Sequence, residues 1–481
     1  MDKVSFRQLG ISEEILKALD KLGYENPSEV QEKAIPYVFE GKDIVVKSKT
    51  GSGKTAAFGI PICEKAEIEE RKPIALVLTP TRELALQVKE DISNIGRFKR
   101  IRCVAVFGKQ PMEEQKLELK QRVHLVVGTP GRTMDHIERG NVDFKELKYL
   151  VIDEADKMLN MGFIDQVEDI IKRLPKNRVT LLFSATMSEE IQNLCNRYMM
   201  NPINIEIKSE ELAIEKIEQV YYEIEDSRKF SLLNRIVYKE IPESCIIFCS
   251  TKEEVGNVFK KMREKGYSSL ALHGGMEQKD RLDAMARFKR GEVQFLVATD
   301  VAARGIHVED ISHVINYDIP MELESYVHRI GRTGRAGNKG KAITFVSPFQ
   351  LQFLDRIQEY IGYNIPRGEH PTDEEVERGK SILKEKMKMK PKIKKDKSSD
   401  LNKEITKLHI SAGKKKKIRA GDIVGAITSI EGITAEDIGI INVQDNFTYV
   451  DILDKKGGRV LEELQNATIK GKKVRVQRAE K

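Results

Sequence analysis

The stretch "DIVVKSKTGSGKT", Asp43–Thr55, decides the fold of the first part of the chain. Its β-branched run, DIVVK, predicts a buried strand, and the segment after the glycines predicts the start of a helix. A glycine-rich loop between a strand and a helix directs backbone N–H groups at phosphate, and the helix dipole adds to the attraction. The sequence therefore predicts an α/β domain that binds a nucleotide.

Each part of this loop has a predicted role in holding ATP and Mg²⁺. Gly51 and Gly53 let the backbone turn and approach the phosphates. Lys54 is expected to reach the β- and γ-phosphates, and the Thr55 hydroxyl to bind Mg²⁺. Ser48 stands where the strict pattern has its first glycine. The predicted nucleotide-binding residues of the loop are Ser48, Lys49, Thr50, Gly51, Ser52, Gly53, Lys54 and Thr55.

Similar apolar runs recur along the chain and alternate with segments of helical period. Those of residues 1–205 are DIVVKS, IALVLTP, CVAVFG, LVVGTP, YLVIDEAD, TLLFSAT and INIEI. Those of residues 206–366 are CIIFCS, SSLALHG, FLVATD, HVINYD and KAITFVS, without a second phosphate loop. Continuous apolar strands that alternate with helices predict two doubly wound parallel sheets in tandem. With one phosphate loop for two sheets, we expect a nucleotide site shared across a cleft.

The last part of the chain differs in composition. Residues 367–403 are polar and lysine-rich, which predicts a basic flexible linker. Residues 404–481 regain apolar periodicity in the order β-α-β-β-α-β, which predicts a small α+β ferredoxin-like domain. The lysine run Lys414–Lys417 is expected in the loop after its first strand, where it can contact nucleic acid phosphates.

Composition narrows the function. The net charge is +7, and residues 367–481 hold 27 Lys and Arg against 19 Asp and Glu, which is compatible equally with a polyanion partner for that end and with a merely soluble tail. The five cysteines are scattered and lack the spacing of a zinc site, so reduced thiols and a cytoplasmic location are expected. No apolar run is long enough to predict a membrane span.

Two further motifs predict hydrolysis of the nucleotide. In YLVIDEAD, Asp153 is expected to bind Mg²⁺ and Glu154 to deprotonate the attacking water; the alternative is an acidic turn after a strand. In YVHRIGRTGRAG, Arg332 and Arg335 lie three residues apart and would share a face of a helical turn. We expect them to stabilise charge on the phosphoryl oxygens, unless the segment is only a basic surface loop.

Nine motifs in order give the chain, from Phe6 to about Val346, a clear resemblance to the DEAD-box RNA helicases. They are GYENPSEVQ, SKTGSGKT, PTRELA, TPGR, DEAD, SAT, IIFCSTK, ATDVAARG and HRIGRTGR. The resemblance implies two RecA-like domains, ATP hydrolysis and binding of RNA with little sequence preference. It also implies that the two domains close together on ATP and RNA.

The resemblance also implies roles for individual residues. Gln31 is expected to read the adenine edge with its amide, Tyr24 and Phe6 to lie near the base, and Ser184 and Thr186 to couple hydrolysis to strand separation. His328 resembles the histidine that links the carboxylates to the γ-phosphate. Asp300 and Gly305 are implied for the nucleotide. The implied RNA contacts are Arg82, Gly108, Thr129, Gly131, Arg132, Gln278, Arg281, Thr299 and Arg304.

Three positions depart from the family pattern. Ser28 stands for the usual Thr, Gly108 for a usual pair of glycines, and His307 for an Asp thought to contact the ATP ribose. The last change predicts altered nucleotide affinity or domain closure, without loss of activity.

The C-terminal domain resembles an RNA-recognition motif, and the whole chain is similar to DbpA-type helicases, which carry such a module after a basic linker. Phe447 and Tyr449, two residues apart, would face one side of a strand and stack on bases, unless they are core residues. The resemblance implies binding to a hairpin of large-subunit ribosomal RNA, tethering of the helicase to neighbouring duplexes, a role in ribosome assembly and no obligatory protein partner.

Other functions share the same core motifs. A general DEAD-box helicase of mRNA turnover or cold adaptation would differ only in its tail. An ATP-gated RNA clamp would have little need of Glu154 and the arginines, and a DNA-directed motor would accept deoxyribose along the bound strand.

Overall fold

The computed structural model describes residues 4–48, 51–207, 217–300, 311–334, 340–388, 393, 398–466 and 468–479. The chain divides into two compact units, one formed by residues 1–208 with 396–481 and the other by residues 209–395. We call residues up to 208 the first α/β domain, residues 209–395 the second α/β domain, and residues 404–481 the C-terminal module.

The first α/β domain is built on a seven-stranded parallel sheet of order β3-β4-β2-β5-β6-β1-β7. Its strands are β1 Ile44–Lys47, β2 Ala75–Leu78, β3 Cys103–Val106, β4 Leu125–Gly128, β5 Tyr149–Ile152, β6 Val179–Ser184 and β7 Ile203–Glu206. Its helices are α1 Glu13–Lys21, α2 Glu29–Phe39, α3 Lys54–Lys65, α4 Arg82–Ile95, α5 Met112–Leu119, α6 Pro130–Glu138, α7 Ala155–Asn160, α8 Ile164–Lys172 and α9 Glu189–Tyr198. Neighbouring residues such as Val45 and Val46 enter separate cores on the two faces, which explains the continuous apolar runs.

The second α/β domain repeats this architecture with a six-stranded parallel sheet of order β10-β11-β9-β12-β13-β8. Its strands are β8 Ile217–Glu223, β9 Cys245–Phe248, β10 Ser269–Leu272, β11 Phe295–Ala298, β12 His313–Asn316 and β13 Gly340–Val346. Its helices among the described residues are α10 Lys229–Glu240, α11 Lys252–Glu264, α12 Gln278–Lys289, α13 Leu323–Ile330, α14 Leu351–Ile361 and α15 Asp373–Lys388. The predicted fold class of both domains is confirmed. Strand β8 was not among the predicted apolar runs, because it is an edge strand with alternating burial.

The predicted linker, residues 367–403, needs a correction in its first half. Asp373–Lys388 form helix α15, which packs against α10 and buries Val376 and Leu383. A side chain at Gly379 would place its Cβ 1.9 Å from the Tyr238 carbonyl oxygen, so only glycine permits this close approach. The many lysines of this segment made its apolar stripe hard to recognise in the sequence. The helix is part of the second α/β domain and is not a flexible linker.

The C-terminal module has the predicted order β-α-β-β-α-β and an antiparallel sheet of order β15-β16-β14-β19. Its main elements are β14 Thr406–Ile410, α17 Ala420–Thr428, β15 Ile438–Val443, β16 Thr448–Ile452, α18 Gly457–Asn466 and β19 Val476–Arg478, and a short helix α16, Ser399–Lys403, precedes it. A two-stranded hairpin, β17 Thr468–Ile469 with β18 Lys472–Lys473, lies between α18 and β19. Lys414–Lys416 form a short 3-10 turn after β14, as predicted for the lysine run.

All five cysteines are buried and free, and burial raises the pKa of the Cys103 thiol to about 12. Within the described residues, no group of three or more His, Cys, Asp or Glu side chains is arranged to hold a metal ion. None of the helices in the described part of the chain is long and apolar enough to span a bilayer.

Candidate ATP and RNA sites

The phosphate loop joins β1 to α3 and is braced by the start of α2. Gly51 and Gly53 have φ values of 88° and 93°, in the left-handed region that favours glycine. The Ser28 hydroxyl donates to the Ser52 carbonyl at 2.9 Å, and the Gln31 amide nitrogen donates to the Gly53 carbonyl at 3.1 Å. A Cβ on Gly53 would lie 2.5 Å from that amide nitrogen. Ser28 therefore supplies the hydroxyl that the usual Thr would supply, and Gln31 holds the loop through the Gly53 carbonyl.

The amide of Gln31 keeps hydrogen-bonding capacity for a base. Its oxygen accepts from the Ser28 backbone N–H at 2.9 Å, and its nitrogen uses one donor on Gly53. An amide has two donors and two acceptor positions, so these two hydrogen bonds leave one donor and one acceptor position of Gln31. Nearby, the buried Phe6 ring packs edge-on against Tyr24 with centroids 6.2 Å apart.

Lys54 is the first residue of α3 and is buried, although it carries a charge. Its Nζ donates to the Ser48 carbonyl at 2.9 Å, and the Ser48 N–H donates to the Ser184 carbonyl at 2.9 Å. These bonds join the ends of β1 and β6 around the loop. Thr55, the next residue, is half-buried, whereas Lys49 and Thr50 lie outside the described residues.

The first two carboxylates of the DEAD motif, Asp153 and Glu154, are buried at the carboxyl end of β5. Burial raises the pKa of Asp153, the neighbouring Glu154 adds to this increase, and Lys54 opposes it. Asp153 Oδ1 is buried and has no hydrogen-bond partner among the described residues, an arrangement that suits a bound cation. Glu154 has φ 54° and ψ 50°, a left-handed conformation that costs of order 1–3 kcal/mol in a non-glycine residue and concentrates at functional sites. Lys157 Nζ lies 2.7 Å from a Glu154 oxygen.

Asp156, which the sequence analysis did not single out, links the DEAD motif to SAT. One of its oxygens accepts the backbone N–H groups of Ala185 and Thr186 at 3.0 and 3.1 Å. The Ser184 hydroxyl donates to the Thr186 carbonyl at 2.6 Å and accepts the Asp156 N–H at 3.3 Å. Hydrogen bonds therefore join the two motifs directly. In the sequence, each of the two motifs stands at the end of an apolar strand. Since β5 pairs with β6, these two strand ends are neighbours in the sheet.

The predicted RNA residues of this domain gather at the carboxyl ends of β2, β3 and β4, which are neighbours in the sheet. Arg82 begins α4, and a Cβ on Gly108 would lie 3.4 Å from its guanidinium. Thr129 caps α6, in which Gly131 is the second residue. Arg132 Nη1 donates to the Gln110 carbonyl at 2.9 Å and to Gln115 Oε1 at 3.1 Å.

Gln115 is a buried residue that hydrogen-bonds to several neighbours, and the sequence motifs did not indicate this role. Its nitrogen donates to the Phe107 carbonyl at 2.9 Å, and its oxygen faces Arg132 and a ring nitrogen of His136, 2.9 Å away. Burial, with the nearby Arg132 charge, lowers the pKa of His136 to about 4, so the ring is neutral at pH 7. The amide thus fixes the orientation of Arg132 beside Gly108.

In the second α/β domain, a buried arginine organises the ends of the strands. Arg329 makes two 2.6 Å bonds to the two oxygens of Asp300, donates to the Asp318 carbonyl at 2.6 Å, and lies over the Phe248 ring. Bidentate arginine–carboxylate pairs fix geometry as well as charge. Arg329 stands in HRIGRTGR, yet the sequence analysis assigned no role to it.

The other predicted residues of this domain lie on several elements. Helix α13 ends at Ile330, so Arg332 stands beyond it and is not on a helical face; it is buried, and its Nε donates to the His328 carbonyl at 3.2 Å. His328 is exposed. Thr299 and Asp300 follow β11, and Gln278 and Arg281 lie in the first turn of α12. Outside the described residues lie Arg304, Gly305, His307 and Arg335.

The C-terminal module presents three rings on its sheet. Phe447 and Tyr449 have centroids 5.2 Å apart, and His409 of β14 lies 5.2 Å from the first and 5.4 Å from the second. All three are half-buried, whereas Thr448 and Val450 point into the core. The two aromatics therefore lie on the face opposite the core.

The lysine run lies next to these rings. Lys414–Lys417 are exposed, and the N–H groups of Lys414 and Lys415 donate to the carbonyls of Gln444 and Asp445, just before Phe447. Lys470 and Lys472, on the hairpin between β17 and β18, donate to the carbonyls of Lys417 and Lys416. The structure thus adds two lysines to the predicted basic surface from a segment about fifty residues away in the sequence.

Comparison with protein families assigns all three parts of the chain. Residues 28–194 match the DEAD/DEAH box helicase family, residues 228–337 the helicase conserved C-terminal domain, and residues 407–478 the DbpA RNA binding domain. The ATP-dependent RNA helicase DbpA of Bacillus subtilis (strain 168) is 57% identical over 476 residues, which is 99% of both chains. The DEAD-box ATP-dependent RNA helicase CshA of Geobacillus kaustophilus is 43% identical and covers 80% of this chain and 82% of that protein.

Solved structures of similar fold were determined with RNA. Dbp5 of S. cerevisiae bound to RNA and ADP BeF3 has a TM-score of 0.70 at 32% identity, over 80% of this chain and 99% of that one. Mss116 bound to ssRNA and UDP-BeF has a TM-score of 0.70 at 28% identity, over 84% of this chain and 85% of that one. These findings confirm the resemblance expected from the motifs. The chain belongs to the DEAD-box ATP-dependent RNA helicases, as an RNA-binding, ATP-using enzyme that carries the DbpA RNA binding domain.

Proposed function

We propose that this helicase is directed to large-subunit ribosomal RNA by its C-terminal module and separates short duplexes near the bound site during ribosome assembly. The module carries this proposal: it matches the DbpA RNA binding domain, and its sheet places Phe447 and Tyr449 beside the lysine run. Stacking rings next to phosphate-binding lysines suit an RNA hairpin with unpaired bases. The buried thiols are compatible with a reducing cytoplasm, where we place this activity.

For the chemical step, we propose that Glu154 takes the proton of the attacking water, and that Lys54 and Arg332 contact the phosphates. Glu154 is buried, has a left-handed backbone conformation and pairs with Lys157 at 2.7 Å. Asp153 and Thr55 would hold Mg²⁺, and the buried, unpartnered Oδ1 of Asp153 supports this assignment. Such an ion supplies positive charge to the phosphate oxygens. Arg335 and Gly305 stay predictions from the sequence.

For the coupling of hydrolysis to RNA, we propose that Asp156 transmits movement between Glu154 and the SAT segment. Asp156 follows Glu154 by two residues and accepts both N–H groups after Ser184. The RNA residues around Arg132 lie at the ends of β3 and β4 in the same sheet, and contact one strand through phosphate and 2′-hydroxyl groups. Arg329, through Asp300, positions the corresponding elements of the second α/β domain.

The targeting proposal is tested by RNA-stimulated ATP hydrolysis with purified large-subunit ribosomal RNA and with an unrelated RNA of equal length. We expect half-maximal stimulation at a concentration at least tenfold lower for the ribosomal RNA. Deletion of residues 404–481 should abolish this preference and leave the maximal rate with unrelated RNA within a few-fold. Equal stimulation by both RNAs would contradict the targeting and would favour a general RNA helicase.

A matched pair of variants separates targeting from general RNA binding. Phe447→Ala with Tyr449→Ala should remove the preference for ribosomal RNA, whereas Phe349→Ala, at an exposed aromatic of the second α/β domain, should keep it. Sequencing of crosslinks formed by the full-length chain on ribosomal RNA would then identify the bound hairpin.

A further inference from the structure

The C-terminal module contacts the first α/β domain in the same compact unit. At the centre, Arg97 Nη2 lies 3.0 Å from Asp451 Oδ2, and the two side chains are only 17% and 3% exposed. Lys407 lies 3.9 Å from the second oxygen of Asp451. A mostly buried ion pair is strongly dependent on both partners, because loss of either one leaves a desolvated charge.

Apolar and charged contacts surround this pair. Leu453 of the module and Leu401 of the preceding helix α16 pack in one cluster with Ala18 and Phe98 of the first α/β domain. At the edge, Lys17 lies 2.5 Å from Asp454 and Lys21 lies 3.2 Å from Glu404. An apolar centre with a polar rim is the usual anatomy of a specific protein interface.

Two further hydrogen bonds fix the orientation of the module. Gln121 donates to the Val443 carbonyl at 3.0 Å, and Arg100 donates to the Ala435 carbonyl. Both acceptors belong to the module, one at the end of β15 and the other at the turn before it. Contacts at several separate points resist rotation as well as separation.

The position of Asp451 supports a role other than RNA binding. Side chains alternate along β16, so Asp451 lies on the same face as Phe447 and Tyr449. A carboxylate in the middle of a face used for RNA would repel phosphate. Here Asp451 is paired with Arg97. The sheet face therefore has two parts: Asp451 contacts the first α/β domain, whereas the three rings are only half-buried.

The docking surface lies away from the catalytic end of the first α/β domain. Arg97 and Arg100 precede β3 and Gln121 precedes β4, so the contact is at the amino ends of these strands, whereas the ATP and RNA residues follow the carboxyl ends. Arg82 and Arg97 are separated by the length of α4, about 20 Å at 1.5 Å per residue. Docking therefore leaves the phosphate loop and Arg82 uncovered.

From these contacts we infer that Arg97 and Asp451 hold the module in a fixed position on the first α/β domain. The alternative is a module that is connected to the helicase core only by a flexible segment. In the fixed position, RNA bound by the rings is presented at a fixed distance from the helicase core, so that duplexes at one spacing from the recognised element are opened in preference to others. The inference concerns position alone and stands independently of which RNA the module binds.

The test measures the position of the module in the full-length chain without RNA or ATP. Since all five native cysteines are buried, spin labels can be attached to cysteines introduced at the exposed Glu90 and Glu463. Double electron–electron resonance should give one narrow distance distribution. Arg97→Glu should widen the distribution several-fold, and Arg97→Asp combined with Asp451→Arg should narrow it again.

Controls keep the outcome unambiguous. Arg173→Glu, at an exposed arginine of the same domain paired with Glu138, makes the same charge change and should leave the distribution narrow. Lys21→Glu, at the rim, should widen it partially. A broad distribution in the unmodified chain, or a narrow one in Arg97→Glu, would overturn the inference. The preference for ribosomal RNA is measured in a separate experiment. Either result can therefore fail alone: the module can be docked without targeting ribosomal RNA, or can target it without being docked.

Discussion

The two α/β domains have the same parallel sheet and different chemistry at the carboxyl ends of their strands. The first carries the phosphate loop after β1 and two buried carboxylates after β5. The second has no phosphate-loop motif in its sequence and instead carries a bidentate pair between the buried Arg329 and the partly exposed Asp300. The difference teaches that the sheet supplies only a scaffold and that the residues at the strand ends give each domain its own chemistry. It supports the proposal that the first domain holds the nucleotide while the second supplies arginines.

The comparison is tested most strongly at Glu154, which we expect to be the base of the first domain. Glu154→Gln keeps the shape of the side chain and removes the proton acceptor, so RNA-stimulated ATP hydrolysis should fall by about 10²–10⁴-fold. Steady-state phosphate release measures this, and nucleotide titration should show that binding is kept. The variant should also hold RNA longer, because reopening after hydrolysis is blocked.

Glu206→Gln is the matched control, since Glu206 is an exposed residue of the same domain paired with Lys47. It should hydrolyse ATP at the unmodified rate. Unchanged hydrolysis by the Glu154→Gln variant would show that Glu154 is not the general base and would favour an RNA clamp.

In the second domain, the largest effect on stability is expected at Arg329. Arg329→Ala leaves Asp300 without its partner and should lower the free energy of unfolding by about 2–4 kcal/mol, a value reduced because Asp300 is partly exposed. Arg329→Lys should recover little, because an ammonium cannot make the bidentate contact. Urea denaturation measures both variants.

Arg367→Ala provides the comparison, because Arg367 is exposed and its pair with Glu223 is on the surface. Its loss should change stability by less than about 1 kcal/mol. Equal effects at Arg329 and Arg367 would show that the pair of Arg329 with Asp300 does not organise the second domain.

A smaller effect is expected at Gln31, which braces the phosphate loop and retains one donor and one acceptor for a base. Gln31→Ala should weaken ATP binding about tenfold, the equivalent of about 1.4 kcal/mol, and reduce the preference for ATP over GTP. Fluorescent nucleotide titration measures both. Gln192→Ala, which removes a local bond to the Met187 carbonyl, should change neither.

The smallest effect is expected in the lysine run of the C-terminal module. Lys415→Ala removes one phosphate contact, so the slope of log affinity for RNA against log salt should become shallower by about 0.7–0.9. The preference among RNA sequences should stay unchanged, because phosphate contacts carry little sequence information. An unchanged slope would place Lys415 outside the RNA interface.

Local patterns in the sequence were sufficient for the sheets and the phosphate loop, because they are encoded within a few residues. Strand β8 was missed because an edge strand is buried on alternate residues and lacks a continuous apolar run. Helix α15 was taken for a linker because its two buried hydrophobic side chains, Val376 and Leu383, are surrounded by charges. Both elements bury only one stripe of side chains. This stripe determines the structure but hardly changes the average composition of the segment.

Long-range pairs were beyond sequence reasoning. Arg97 and Asp451 lie far apart in the chain, and neither stands in a recognisable motif. The hydrogen bonds of Gln115 and the link from Asp156 to Ala185 and Thr186 likewise depend on which strand ends meet in the sheet. Arg329 shows a further limit, since its motif was recognised while its partner, Asp300, was assigned to the nucleotide alone.

The division of labour between the two domains is tested most directly at Arg332 in the full-length chain. Arg332→Ala should keep nucleotide affinity within a few-fold, because the loop at Gly51–Thr55 is intact. RNA-stimulated hydrolysis should fall by about 10³-fold or more, as expected for a missing arginine at the phosphoryl group. Hydrolysis at the unmodified rate would contradict the account, since the first domain would then cleave ATP without help from the second.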